Sequence, residues 1–164
     1  MAHRHWTRED WIKVIWSDEC AVEKDSDPRT LWIYRHQNQF EKYLPINIKE
    51  KIRNGGISQM IWGSFLGDKL GPIVFIDGTV NTNVYIGVLD DYLLPFIDAL
   101  NADGLSNIIY QQDNASPHAS HKTKEWLANS AKEHGFTVME WPPNSPDMNP
   151  IENLWAHLKL ELHR

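Results

Sequence analysis

The order in which apolar runs and apolar stripes follow one another constrains this chain most. The run Trp11-Ile12-Lys13-Val14-Ile15-Trp16 is β-branched and aromatic, and reads as a mostly buried strand ending at Ser17-Asp18-Glu19. A turn at 25–28 and a short strand at 30–35 follow. Strands at 58–66 and 71–77, separated by Gly67-Asp68-Lys69-Leu70, form a hairpin. The pattern then changes. Ile86, Leu89, Leu93, Ile97 and Leu100 recur at three- and four-residue steps, which makes one helical stripe. Asn81 or Thr82 can cap it, and Pro95 predicts a kink or break near Leu94. Next come a strand at 107–111 and a helix opened by Ser116-Pro117 and closed by Gly135. A strand at 136–141 and a loop of Pro and Asn lead to a last helix from Pro150, with Ile151, Leu154, Trp155, Leu158 and Leu162 on one face. Hairpin strands followed by alternating helix and strand predict an α/β fold. Its mixed sheet has an opening antiparallel meander, later parallel strands, and helices on both faces.

The chain has 164 residues, enough for one domain with a core: a polar leader over 1–10 and the domain over 11–164. No apolar run approaches the roughly 18 residues of a membrane helix, and the start lacks the pattern of a secretory signal. The single cysteine, Cys20, excludes an internal disulfide and makes a reducing compartment the default. The net charge of −6 runs against the basic excess usual in nucleic-acid binders. A site of carboxylates and divalent metal would carry such a charge until the metal bound. An irregular, basic excursion at 36–57 holds Lys42, Lys49, Lys51 and Arg53. It reads either as a DNA contact or as a solvated loop.

Two predicted strands end in an aspartate, Asp18 and Asp113, where α/β sheets gather their sites. If those strands are parallel neighbours, the two carboxylates lie side by side. They must then share a proton or a cation, and oxygen ligands suit Mg²⁺ or Mn²⁺. Either could instead cap a turn. Glu19 competes with Asp18, but adjacent strand residues face opposite sides. Glu152 stands three residues after Asn149, where a capping box would use it, so capping and catalysis both remain open. His118, close behind Asp113, is either a surface or capping residue or one that reaches a phosphate or a water. Cys20 reads as buried and inert.

The segments Trp16-Ser17-Asp18-Glu19, Gly55-Gly56-Ile57-Ser58, Trp62-Gly63, Gln112-Asp113-Asn114-Ala115-x-Pro117-His118 and the long block from Trp141 to Trp155 resemble the mariner-type transposases, within the DDE superfamily. The likeness runs from about Trp11 to the end, in the family's order. It implies a ribonuclease H-like fold, and it implies that Asp18, Asp113 and Glu152 form the metal-binding triad. The stretch between Asp113 and Glu152 is a few residues longer than in the best-known members. Relatives carry N-terminal helix-turn-helix domains, so this chain is expected to be the catalytic domain without that DNA-reading part.

The resemblance further implies cut-and-paste transposition: metal-dependent cleavage of double-stranded DNA and strand transfer at transposon ends. Asp18 would bridge two Mg²⁺ or Mn²⁺ ions, with Asp113 and Glu152 each holding one. Lys42, Lys49, Lys51, Arg53 and His118 are the candidates for DNA contact. The full-length protein would be a homodimer, without membrane association, in the nucleus. Two alternatives stand beside it: a ribonuclease H-like nuclease of other substrates, and a catalytically silent copy that binds DNA or protein.

Overall fold

The computed structural model describes residues 3, 5–23 and 58–162. The turn at 25–28, the strand at 30–35 and the excursion with Lys42, Lys49, Lys51 and Arg53 lie outside the described residues.

A short helix, α1 (Arg8–Trp11), precedes the first strand, β1 (Val14–Glu23). The apolar run is therefore split: Trp11 ends a helical turn and only Val14 onward is extended. β1 also continues past Ser17-Asp18-Glu19, so Asp18 sits inside a strand and not at its end. A long antiparallel partner sustains it. β2 (Ser58–Leu66) pairs with β1 from Ile15↔Leu66 to Glu23↔Ser58. β3 (Lys69–Ile76) closes the hairpin on β2 across Gly67, whose positive φ of 60° suits a two-residue turn. The β2–β3 register shifts between Gly63 and Phe65.

The helical stripe forms in three pieces: α2 (Thr82–Val88), a π-helical turn (Leu89–Leu93) and α3 (Leu94–Ala102). Asn81 caps α2, its Oδ1 accepting from the amides of Asn83 and Val84 at 2.9 and 3.2 Å. Pro95 lacks the N–H that a continuous helix needs, which accounts for the irregular turn before it. β4 (Ile108–Tyr110) follows. The single helix expected from Ser116 is two, α4 (Ser116–Ala119) and α5 (His121–His134), because Ser120 is extended. Ser120 caps α5 through its Oγ, and Gly135 ends α5 in the left-handed conformation. β5 (Phe136–Val138) is shorter than expected, and α6 (Ile151–Leu162) closes the described chain. No described helix is long and apolar enough to cross a membrane.

The five strands lie in the order β3-β2-β1-β4-β5, the first pairs antiparallel and β1-β4 and β4-β5 parallel. Alternation along β1 and β2 divides the core between two faces. Ile15, Trp62, Leu66, Val74 and Ile76 pack with Tyr85, Leu89, Leu93 and Ile97 on one face. Cys20 and Ile61 pack with Ile151 and Trp155 of α6 on the other. Only two of the five apolar residues expected on one face of α6 are buried. Leu158 packs at the margin, while Leu154 and Leu162 are exposed. Leu70, Ile73 and Phe75 of the edge strand β3 also face solvent.

Candidate active site

Asp18, Asp113 and Glu152 come from three separate elements and line one cleft of about 350 Å³. Its far wall is the loop from Trp141 to Pro146, and Asn114 holds that loop by donating from Nδ2 to the Trp141 carbonyl at 2.8 Å. The parallel pairing of β1 with β4 places Ile15 opposite Tyr110, so Asp18 and Asp113 each stand three residues beyond matched positions.

Asp18 lies opposite Gly63 of β2 and on the same face as Cys20 and Ile61, the face covered by α6. Its carboxyl is pushed up to about 7. Burial is the main cause; the charges of Glu19, Glu152 and Asp113 add to it, and a hydrogen bond from the Glu19 amide works the other way. Asp18 is therefore a half-buried carboxyl among other acids.

Asp113 follows β4 through Gln111 and Gln112, both buried. Its Oδ1 accepts from the Ala115 amide at 2.8 Å, so the turn-capping reading holds for it as well. The same oxygen accepts from His118 Nδ1 at 2.5 Å. That bond holds its carboxyl below the usual range, against the effect of burial.

His118 is 3% exposed, its ring held between two carboxylates. Its Nε2 meets Glu19 Oε1 at 3.3 Å, and its ring stacks on Tyr85 with centroids 3.9 Å apart. Burial alone would favour the neutral ring. The two carboxylates outweigh it and push His118 up to about 9, so it is an imidazolium between Asp113 and Glu19. Tyr85 continues the network, donating to Gln112 Oε1 at 2.8 Å. Glu19 thus faces away from the cleft, as alternation along β1 requires, yet it is tied to the site through His118. Its role went unnoticed in the sequence, and no local spacing signals it.

Glu152 is exposed at the start of α6, and its carboxylate makes no hydrogen bond or ion pair among the described residues. Of the two readings left open for Glu152, the capping box is not formed among the described residues. Asn149 does the capping: its Oδ1 accepts from the Ile151 amide at 3.3 Å, while its own amide is satisfied by the Pro146 carbonyl at 2.9 Å. Asn149 Nδ2 also donates to the Ser17 carbonyl at 3.1 Å. One buried side chain therefore fastens the start of α6 to the strand beside Asp18. The three acids share a cleft without converging on a point. Among the described residues, no three His, Cys, Asp or Glu side chains stand together as a ready cation cage.

A family profile for the DDE superfamily endonucleases matches residues 13–164. The chain is 33% identical over 158 residues to the transposase of the Tcb2 transposable element of Caenorhabditis briggsae, covering 96% of this chain and 55% of that protein. It is 31% identical over 161 residues to the Tc1 transposase of Caenorhabditis elegans, covering 98% and 56%. The chain thus spans about half the length of these curated relatives. Among solved structures, the catalytic domain of Mos1 mariner transposase superposes with a TM-score of 0.64 at 14% identity, over 94% of this chain and 62% of that one. A Mos1 paired-end complex with Mn gives 0.67 at 18%, over 93% and 43%. At these identities the structural likeness speaks for the fold, which is ribonuclease H-like. With the profile spanning nearly all of it, the chain belongs to the DDE superfamily endonucleases.

Proposed function

We propose that this domain cuts and joins DNA in cut-and-paste transposition, with Asp18, Asp113 and Glu152 as ligands of two Mg²⁺ or Mn²⁺ ions. The observation that carries the proposal is the opening of three carboxylates, from three elements, onto one cleft. The donor set fits the cations. Carboxylate oxygens are the ligands hard divalent ions take, and the charges of Glu19, Glu152 and Asp113 all act on Asp18. Mos1 transposase, solved with Mg, with Mn and with a left transposon end, lends support for metal and DNA here. When bound, such ions lower the pKa of a water or 3′-hydroxyl and stabilise the leaving oxygen.

The chain's own residues supply position. Pairing of β1 with β2 at Asp18↔Gly63, and with β4 three residues earlier, positions Asp18. Ala115 and His118 orient Asp113. Asn149 anchors the helix that carries Glu152. Lys42, Lys49, Lys51 and Arg53 supply phosphate contacts, since neutralising phosphates provides most of the binding energy. The whole protein acts as a homodimer on transposon ends and target DNA, in the nucleus of a eukaryotic host.

The test is nicking of supercoiled DNA with Mg²⁺ or Mn²⁺. Asp18→Ala, Asp113→Ala and Glu152→Ala should each abolish it with the fold intact, and a Glu152→Gln variant of full activity would remove Glu152 from the ligand set. A silent binding copy is the second reading, favoured by the engagement of Asp113 with His118. It requires weak Mn²⁺ uptake and no nicking.

A further inference from the structure

We propose that Gly63 is a positioning residue. Its missing side chain is the seat on which Trp155 rests, and the depth of that seat sets how near Glu152 stands to Asp18. The inference rests on the metal-site reading above.

Gly63 and Asp18 are directly opposed on β2 and β1, so a side chain on Gly63 would point to the face that α6 covers. A Cβ built there would lie 2.6 Å from Trp155 Cη2 and 3.3 Å from Cζ2. Real Cβ contacts essentially never fall below 3.0 Å, so any other residue displaces the indole. Backbone freedom is not the reason for glycine, because Gly63 is not among the glycines with positive φ.

The indole has little room to yield. Trp155 is 6% exposed and packed with Cys20, Ile61 and Ile151. Its Nε1 is buried and makes no hydrogen bond among the described residues, so packing there holds the ring by shape. Trp155 lies three residues after Glu152, on the same side of α6. Movement of the indole off the sheet carries the helix start, and the Glu152 carboxylate, away from Asp18.

The test titrates Mn²⁺ alone into the wild-type chain, Gly63→Ala, Trp155→Phe and the double variant, alongside metal-free crystal structures of wild type and Gly63→Ala. The smaller ring lacks the atoms that Cβ would meet. Gly63→Ala should move α6 outward by about 1 Å, the gap between 2.6 Å and ordinary contact. It should weaken Mn²⁺ binding at least about tenfold, and the double variant should recover to within about threefold of Trp155→Phe. Rescue separates a seat from a backbone role, because Gly63 also borders the register shift of β2 and trimming the indole cannot mend a bulge. Unweakened binding by Gly63→Ala, or no rescue, overturns the inference. Should Gly63→Ala fail to fold, the double variant must fold and bind, and its failure is equally fatal. A wild-type chain that takes up no Mn²⁺ overturns the metal reading itself. The metal-free structures then still decide the seat, an unmoved helix refuting it.

Discussion

Asp18→Asn should stabilise the metal-free domain above neutral pH while abolishing DNA cleavage. The Asp18 carboxyl rises from an ordinary 3.8 to about 7, by burial first and then by the charges of Glu19, Glu152 and Asp113. The folded chain therefore holds this proton more tightly than the unfolded chain. The stability so conferred is full below pH 3.8 and is lost as pH rises to about 7, above which the ionised group is a fixed burden. At about 1.4 kcal/mol per tenfold change in proton affinity, the burden is roughly 4 kcal/mol. The cleft is open to solvent, and screening brings this to about 2 kcal/mol. The replacing carboxamide carries no charge and keeps an oxygen for the Glu19 amide. Thermal unfolding in EDTA at pH 8 should show the variant melting roughly 4–8 °C above wild type, and the gap should close towards pH 4. Mn²⁺ should then raise the melting point of wild type but not of the variant. Equal melting at pH 8, or a less stable variant, would refute the view that Asp18 is held against repulsion in the empty cleft.

Three further outcomes are expected. Because His118 is pushed up to about 9, the contribution of its charged form is full below pH 6.5 and lost as pH rises through about 9; His118→Gln should lower the urea midpoint more at pH 6 than at pH 9.5, and an equal loss at both would show that the imidazolium is not what holds Asp113. Asn149→Ala removes a helix cap and a buried tie to Ser17, and should cost about 2 kcal/mol by urea unfolding; Asn149→Asp, which keeps the cap and loses the donor, should fall between. Replacing Lys49 and Arg53 with alanine should reduce the slope of DNA affinity against salt by about 2, and an unchanged slope would leave the segment a solvated loop.

What could be read from the sequence was what local chemistry decides. The Asn81 cap, the interruption before Pro95, the hairpin across Gly67 and the stop at Gly135 all depend on residues within one turn of each other. Element order allowed a parallel pairing of the first strand with a later one without requiring it; the structure pairs β1 with β4, and Asp18 and Asp113 line one cleft. The length of β1 did not, because a strand persists as far as its partner does, and β2 supplies that partner from a distant stretch. Alternation along β1 dictates that Glu19 faces away from Asp18. That His118 binds it there depends on α4 folding back over β1, which no spacing encodes. Glu152 looked like a cap because its position is ideal for one. Only the competing bond from the Asn149 amide to the Pro146 carbonyl shows that its carboxylate is not needed for that purpose.

The outer strand of the sheet has a bearing on solubility. Among the described residues, β3 is an outer strand and exposes Leu70, Ile73 and Phe75, the arrangement that invites a foreign strand to add on. Pro72 has no amide hydrogen and stands where the ladder to β2 breaks register. It divides the edge into stretches of three and four residues, each shorter than a foreign strand needs for a long continuous ladder.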